Sequence, residues 1–145
     1  MTPLETSIIA EARSWLGTPY VHQASSKGAG ADCLGLVRGV WRALYGQEPE
    51  AAPSYSMDWS EPRREERLWE AALRHLVPTE TPAPGQVLLF RMRDSGVAKH
   101  LGLLSQAGPT PQFIHAYSGY GVVESALTPP WARRIVARFR FPERD

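Results

Sequence analysis

The second half of the chain contains five short segments rich in β-branched, aromatic and other apolar residues. Segments of about six to eight residues with this composition, separated by turn residues, are typical of β-strands. Because the connections between them are short, we expect mostly antiparallel pairing. The five segments are QVLLFRM (86–92), KHLGLLSQ (99–106), QFIHAYS (112–118), GVVESAL (121–127) and RIVARFRF (134–141).

The first half of the chain has helical patterns instead. Thr2 and Glu5 form a capping-box pattern at the start of a helix that we expect to end at Gly17. Its apolar face includes Leu16. Asp32 is a good N-cap for a second helix, which Gly46 closes.

A third helix is predicted over about residues 60–76, with Leu68, Trp69, Ala72, Leu73 and Leu76 facing inward. Helices followed by strands predict an α+β fold. The length of 145 residues predicts that residues 1–145 form a single domain.

Composition excludes several classes of function. The single cysteine can form neither an internal disulfide nor a cysteine-based zinc site. A net charge of +1 gives no general attraction to nucleic acid or membranes. No apolar run reaches the ~20 residues of a membrane span, and the N-terminus lacks the pattern of a secretory signal. We therefore expect the protein to be made in the cytoplasm without a signal peptide.

The single cysteine, Cys33, follows the predicted N-cap Asp32. The free N–H groups and the dipole of a helix N-terminus favour negative charge, so we expect the thiol to lose its proton easily and act as a nucleophile. The same N–H groups can stabilise an oxyanion. The alternative is a buried structural cysteine, which is common for free thiols.

A cysteine nucleophile needs a base, which is usually histidine. His100 and His115 lie on two adjacent predicted strands, about 4.8 Å apart, so their rings can lie side by side. One ring can then act as the base while the other orients it. His75 is expected near a helix end in a structural role. His22 lies in the loop before Cys33 and can reach the site.

Four motifs, in order, resemble the NlpC-like cell-wall cysteine peptidases. WLGTPYVHQ followed by GADCLGLV is similar to that family's Leu-Gly-x-Pro-Tyr and Asp-Cys-Ser-Gly-Leu-Val segments. PGQVLLF resembles its Pro-Gly-Asp strand, HLGLL its His-Val-Gly-Ile-Tyr strand, and FIHAYSGYGVVES its Phe-Ile-His-Ala segment. Each motif is weak alone, but the ordered set spans residues 15–125 and is specific. Leu34 departs from the pattern, since the family usually has serine there.

The resemblance implies a papain-like α+β fold, with N-terminal helices packed on an antiparallel sheet of about five or six strands. It also implies residue roles. Cys33 matches the nucleophile, His100 the base and His115 the residue that orients the base. Tyr20 matches a tyrosine that lines the site, and we predict that His22 and Asp32 join it in binding substrate.

The implied reaction is hydrolysis of an amide bond in a peptidoglycan stem peptide, often the bond between D-glutamate and the diamino acid. This chemistry requires no metal and no cofactor. Small one-domain peptidases of this kind resemble those carried on phage or gene-transfer-agent tails. We therefore expect tail-hub proteins as partners, and a tail as the location of the mature protein.

Other functions fit the same residues. The chain could be a catalytically idle structural component of a tail hub that keeps only the fold. It could also be an amidase or acyltransferase using the same Cys/His site, although a lipid substrate would require a large apolar patch. A secreted toxin would share the chemistry as well.

Overall fold

The computed structural model describes residues 1–49, 66–93 and 96–144. Its helices and strands are numbered separately in chain order. The elements are α1 (Pro3–Arg13), β1 (Ser25–Ser26), β2 (Gly30–Ala31), α2 (Cys33–Tyr45), α3 (Arg67–His75), β3 (Val77–Thr79), β4 (Val87–Arg91), β5 (Ala98–Gln106), β6 (Gln112–Tyr117), β7 (Gly121–Ala126), α4 (Pro129–Ala132) and β8 (Ile135–Arg140).

Helix α1 begins at the predicted capping box. The Glu5 backbone N–H donates to Thr2 Oγ1 at 3.1 Å, and the Thr2 N–H donates to Glu5 Oε1 at 3.0 Å. The helix ends at Arg13, earlier than predicted, and a turn continues to Gly17 at φ 87°. Leu16 lies in this turn and is exposed, so its predicted place on the apolar face was wrong.

Helix α2 has the predicted bounds, with Asp32 as its N-cap and Gly46 in the left-handed conformation at its C-terminus. Its apolar face packs at Gly39 against Trp15, in the turn that follows α1. A Cβ atom at position 39 would overlap the indole ring of Trp15. The absence of a side chain at Gly39 therefore lets the two helices approach closely.

Helix α3 is confirmed over Arg67–His75, while its predicted start near residue 60 lies outside the described residues. Leu68 and Ala72 are buried, as expected for positions one helical turn apart. Leu73 was predicted to face inward, but it is 54% exposed. It follows Ala72 by about 100° around the helix and so points away from the core.

The main sheet has six strands in the order β3-β8-β4-β5-β6-β7, and all neighbours pair antiparallel. The five predicted strands are confirmed. The sixth, β3, was missed because Pro78 interrupts its short sequence and proline normally argues against a strand. Since β3 is an edge strand, it tolerates a residue without an N–H group.

The sheet carries an apolar cluster on each face. One cluster joins α1 and α2 to strand residues that include Leu101 and Ile114. The other contains Phe90 and Phe113 and packs against Trp131 of α4. The expected α+β architecture, with helices on an antiparallel sheet, is confirmed. Within the described ranges, no helix is both long enough and apolar enough to span a membrane.

Candidate active site

The Asp32 carboxylate organises the start of α2. Its Oδ1 accepts a hydrogen bond from the Gly35 N–H at 2.8 Å, as an N-cap does. Its Oδ2 accepts from the Gln23 N–H at 2.7 Å and lies 3.8 Å from His22 Nδ1. Gln23 has φ 66°, an unusual value for a residue with a side chain, so this carboxylate helps to hold a strained loop residue.

Gly35 allows this loop to lie directly on the helix. A Cβ atom at position 35 would overlap the carbonyl oxygen of Ala24. The Ser25 hydroxyl adds a hydrogen bond of 2.6 Å to the Gly35 carbonyl oxygen. The loop that carries Tyr20 and His22 is therefore fixed beside the first turn of α2.

Cys33 occupies the predicted first position of α2 but is only 7% exposed. Its sulfur donates to the Lys99 carbonyl oxygen of β5 at 3.8 Å. Burial and the nearby Asp32 charge raise the thiol pKa to about 12, although backbone N–H groups of Leu101, Leu34 and Cys33 oppose this rise. The expectation of an easily ionised thiol was therefore wrong, because desolvation outweighs the helix N-terminus.

The two histidines of the adjacent strands do meet. His100 Nε2 lies 2.8 Å from His115 Nδ1, with the ring planes at 77°. His100 is 7% exposed and His115 is 1% exposed. Burial lowers the pKa of His100 to about 3, with the neighbouring His115 adding to the effect, and lowers that of His115 to about 4. Both imidazoles are therefore neutral near pH 7.

Aromatic rings enclose this histidine pair. The ring of Trp131, from α4, lies 5.6 Å from that of His100 and 5.2 Å from that of His115. Tyr117 stacks on His115 at 5.3 Å, and Phe113 lies 4.1 Å from the same ring. Trp131 was not predictable as a site residue because α4 is only four residues long and lies far along the chain.

Ser125 is a further residue that the sequence did not reveal. Its Oγ lies 3.2 Å from His115 Nε2, on the side of the ring opposite the contact with His100. A serine near the end of a strand has no pattern that distinguishes it from an ordinary exposed residue. The register of β6 and β7, which pairs Phe113 with Ser125, brings it to the histidine.

The predicted substrate-binding residues lie around Cys33. Tyr20 is half-buried, and burial, the thiolate that Cys33 forms at high pH and the Asp32 charge raise its pKa to about 12, so its hydroxyl remains a hydrogen-bond donor. His22 is partly exposed beside Asp32. Asp32 itself is buried and acts as the helix cap. The roles of these three residues in binding substrate remain predictions.

The site therefore holds two hydrogen-bonded neutral imidazoles, which can accept a proton from another group, and a neutral thiol that contacts the strand carrying His100. In this part of the chain no hydrogen bond joins the Cys33 sulfur to either imidazole; the sulfur instead contacts β5 beside His100. Among the described residues, no group of three or more His, Cys, Asp or Glu side chains is arranged to hold a metal ion.

An apolar cavity of about 240 Å³ lies between α2, α3 and the sheet. Leu34 and Leu101, the residues that follow Cys33 and His100, line it together with Leu68. Cys33, His100 and His115 are not among its described lining residues. The cavity therefore adjoins the candidate site without containing its polar groups.

Comparison with known sequences is consistent with this geometry. The sequence profile of the NlpC/P60 family matches residues 17–140. The chain is also 28% identical over 138 residues to a γ-DL-glutamyl hydrolase of Bacillus subtilis (strain 168), an alignment that covers 94% of this chain. It spans only 29% of the length of that relative.

Solved structures show the same fold. The NlpC/P60 domain of the peptidoglycan hydrolase SagA superposes with a TM-score of 0.64 at 21% identity, covering 94% of this chain and 98% of that domain. An NlpC/P60 family protein from Bacillus cereus ATCC 10987 gives a TM-score of 0.66 at 20% identity, covering 97% of this chain and 41% of that protein. Since the family profile covers most of the sequence, including Cys33, His100 and His115, the chain belongs to the NlpC/P60 family.

Proposed function

We propose that the protein is a cysteine peptidase that hydrolyses amide bonds in peptidoglycan stem peptides. The observation that carries the proposal is the bond between His100 Nε2 and His115 Nδ1. With Nε2 engaged by His115, Nδ1 is the remaining nitrogen of His100, and no hydrogen bond to it is found within the described residues; it lies on the strand that the Cys33 sulfur contacts. Family membership and the likeness to the peptidoglycan hydrolase domain support the choice of substrate.

The proposed reaction begins when His100 Nδ1 takes the proton of the Cys33 thiol. The thiolate attacks the amide carbonyl carbon, and N–H groups at the start of α2 stabilise the oxyanion. His100 then donates its proton to the leaving amine. Water hydrolyses the thioester and releases the acyl product together with the free thiol.

The first proton transfer requires a change in the resting site. In the structure the thiol is neutral and donates to the Lys99 carbonyl oxygen. We propose that substrate binding turns the Cys33 side chain toward His100 Nδ1. The thiol would then be activated only when a carbonyl group is in place, which protects a buried cysteine from side reactions.

The bond that we propose as the target is the γ-glutamyl amide of the stem peptide. The relative from B. subtilis is named for hydrolysis of γ-glutamyl bonds, and its similarity extends over 94% of this chain. The same bond type links D-glutamate to the diamino acid in the stem peptide, as the family resemblance implies.

Digestion of purified peptidoglycan tests both the reaction and the bond. Wild-type protein and Cys33→Ala are each incubated with peptidoglycan, and soluble products are identified by mass spectrometry. We expect new amine ends on the diamino acid with wild type only. Release of whole stem peptides from the sugar would instead indicate an amidase, and identical digests with both proteins would refute a cysteine mechanism.

The roles of the histidines are tested in the same assay. His100→Ala should abolish turnover while the circular dichroism spectrum remains that of a folded protein. His115→Ala should cause a smaller but substantial loss, because orienting a base matters less than supplying it. Wild-type rates in both variants would contradict the assigned roles.

One observation favours a second candidate, a catalytically idle structural protein. The Cys33 thiol is buried and bonded to a backbone carbonyl rather than to an imidazole. An idle protein would release no product from any peptidoglycan, although it would still bind its partners. The digestion experiment separates this candidate from a peptidase.

Delivery on a phage or gene-transfer-agent tail also remains a proposal, as do tail-hub proteins as partners. It rests on the resemblance to small peptidases that such tails carry. The protein should then copurify with intact particles through a density gradient. Recovery only in the particle-free fractions would contradict tail delivery without affecting the proposed chemistry.

A further inference from the structure

A hydroxyl group ends the series of hydrogen bonds that begins at His100. Ser125 Oγ lies 3.2 Å from His115 Nε2, and His115 Nδ1 lies 2.8 Å from His100 Nε2. We propose that Ser125 is a positioning residue that fixes the tautomers of both histidines. The proposal rests on the proposed function, because it assigns a further role at the same site.

The productive tautomer follows from the count of protons. A neutral imidazole carries one N–H, and His100 can accept a proton at Nδ1 only if its own N–H is at Nε2. That N–H then donates to His115 Nδ1, which must present a lone pair. The proton of neutral His115 is consequently at Nε2, where it donates to Ser125 Oγ.

The opposite arrangement is unproductive. If His115 carried its proton at Nδ1, it would donate to His100 Nε2, and the proton of His100 would be at Nδ1. That nitrogen could not accept the thiol proton. The hydroxyl oxygen of Ser125 favours the productive arrangement because it supplies an acceptor for the His115 Nε2–H group.

The surroundings of His115 make this acceptor important. Its ring is 1% exposed and packs against Phe113, Tyr117 and Trp131. Within the described residues, Ser125 is the hydrogen-bond partner of His115 Nε2. An N–H group buried among aromatic rings without an acceptor is costly, so loss of the hydroxyl drives the proton to the other nitrogen.

Ser125 lies on a well-supported strand rather than on a loop. Strand β7 pairs with β6 at every position from Gln112–Ala126 to Tyr117–Gly121. The adjacent Glu124 forms two hydrogen bonds with Arg13, the last residue of α1, at 3.3 and 3.0 Å. The pairing of β6 with β7 therefore fixes the position of the Ser125 hydroxyl relative to the His115 ring, as a positioning role requires.

Threonine and valine provide a matched pair of substitutions at position 125. Ser125→Thr keeps the hydroxyl, whereas Ser125→Val has the same shape as threonine without it. Valine also fills space from which water could otherwise replace the hydroxyl. With peptidoglycan as substrate, we expect Ser125→Val to lower kcat by about 10-fold to 100-fold with KM unchanged, and Ser125→Thr to restore most of the rate.

Nitrogen-15 NMR of the imidazoles gives a readout that does not depend on activity. Protonated and unprotonated ring nitrogens have well-separated chemical shifts, so the tautomer of each histidine can be read directly. In wild type and Ser125→Thr, we expect both His100 and His115 to carry the proton at Nε2. In Ser125→Val, we expect His115 to carry it at Nδ1.

The outcomes separate this inference from the proposed function. Equal kcat values and equal tautomers in the threonine and valine variants would overturn the role of Ser125, as would Nδ1 protonation of His115 in wild type. If wild type cleaves no peptidoglycan, the proposed function fails. The NMR measurement of the His100 and His115 tautomers still shows whether Ser125 positions their protons. Should Ser125→Val not fold, Ser125→Cys removes the hydroxyl acceptor while filling most of its space, and its histidine tautomers are compared with those of Ser125→Thr.

Discussion

The most consequential residue is Cys33, whose environment opposes its expected chemistry. The start of a helix favours a thiolate, and backbone N–H groups do lower the pKa of this thiol. Burial and the Asp32 carboxylate act in the other direction and prevail, which raises the pKa to about 12. The same carboxylate caps α2 and accepts a hydrogen bond from the Gln23 N–H. The charge that stabilises the start of the helix therefore also makes the Cys33 thiol less acidic.

Slow alkylation of the folded protein is the expected consequence for Cys33. A pKa of about 12 implies a thiolate fraction near pH 7 roughly a thousand-fold below that of a free thiol. Iodoacetamide should therefore label Cys33 much more slowly than a model thiol, as followed by mass spectrometry. Complete labelling in denaturant is the control. Labelling faster than the model thiol would show that the resting thiol is ionised.

At the scale of elements, two glycines of α2 decide how the site is assembled. Gly35 admits the Ala24 carbonyl oxygen of the preceding loop, and Gly39 admits the indole of Trp15 from the turn after α1. These contacts fix the N-terminal half of α2 against two other segments. The position of Cys33 is thus determined by close packing as much as by its cap.

The packing at Gly39 predicts that alanine at this position destabilises the protein, although alanine usually stabilises a helix relative to glycine. Alanine for glycine inside a helix normally stabilises by about 1 kcal/mol. Because the new Cβ atom would overlap Trp15, we expect Gly39→Ala to destabilise by about 1–3 kcal/mol instead. Urea unfolding gives the free energy of unfolding.

A second substitution checks the cause of that loss. Trp15→Phe removes part of the overlapping ring, so the double variant should lose less stability than the sum of the two single variants. Additive losses would show that the overlap with the indole is not the reason. Increased stability of Gly39→Ala alone would contradict the close approach of the helices.

Elements of regular pattern and their antiparallel pairing were predictable, whereas the exact register and the places of β3 and α4 were not. The Thr2 capping box, the Asp32 cap and the five strand segments follow from local sequence, and the structure confirms them. Leu73 and β3 were misjudged because tertiary packing decided their environment. Ser125 and Trp131 could not be found at all, since only strand register and the placement of α4 bring them to the histidines.

At the scale of the whole molecule, the buried histidines link folding to pH. In the folded state, burial lowers the pKa values of His100 and His115 to about 3 and about 4, whereas unfolded histidine titrates near pH 6.5. Between about pH 6.5 and about pH 4, the unfolded state therefore binds more protons. Stability rises with pH wherever this is so, and acidification destabilises the protein.

We therefore expect the free energy of unfolding to fall as pH is lowered below about 6.5, by up to about 1.4 kcal/mol per pH unit for each histidine proton. Urea unfolding across this range measures the slope. His115→Gln should make the slope shallower than in wild type. Equal slopes in the two proteins would mean that other groups cause the acid sensitivity.

The strand order has a consequence for biosynthesis. Strand β8 lies between β3 and β4, so β4 gains its second neighbour only when residues 135–140 are available. While the ribosome is still adding that segment, the edge of β4 next to Leu88 and Phe90 has no partner. The nascent polypeptide thus carries an open apolar edge until residues 135–140 have been synthesised, and the histidine pair lacks part of its aromatic enclosure until Trp131 has been added.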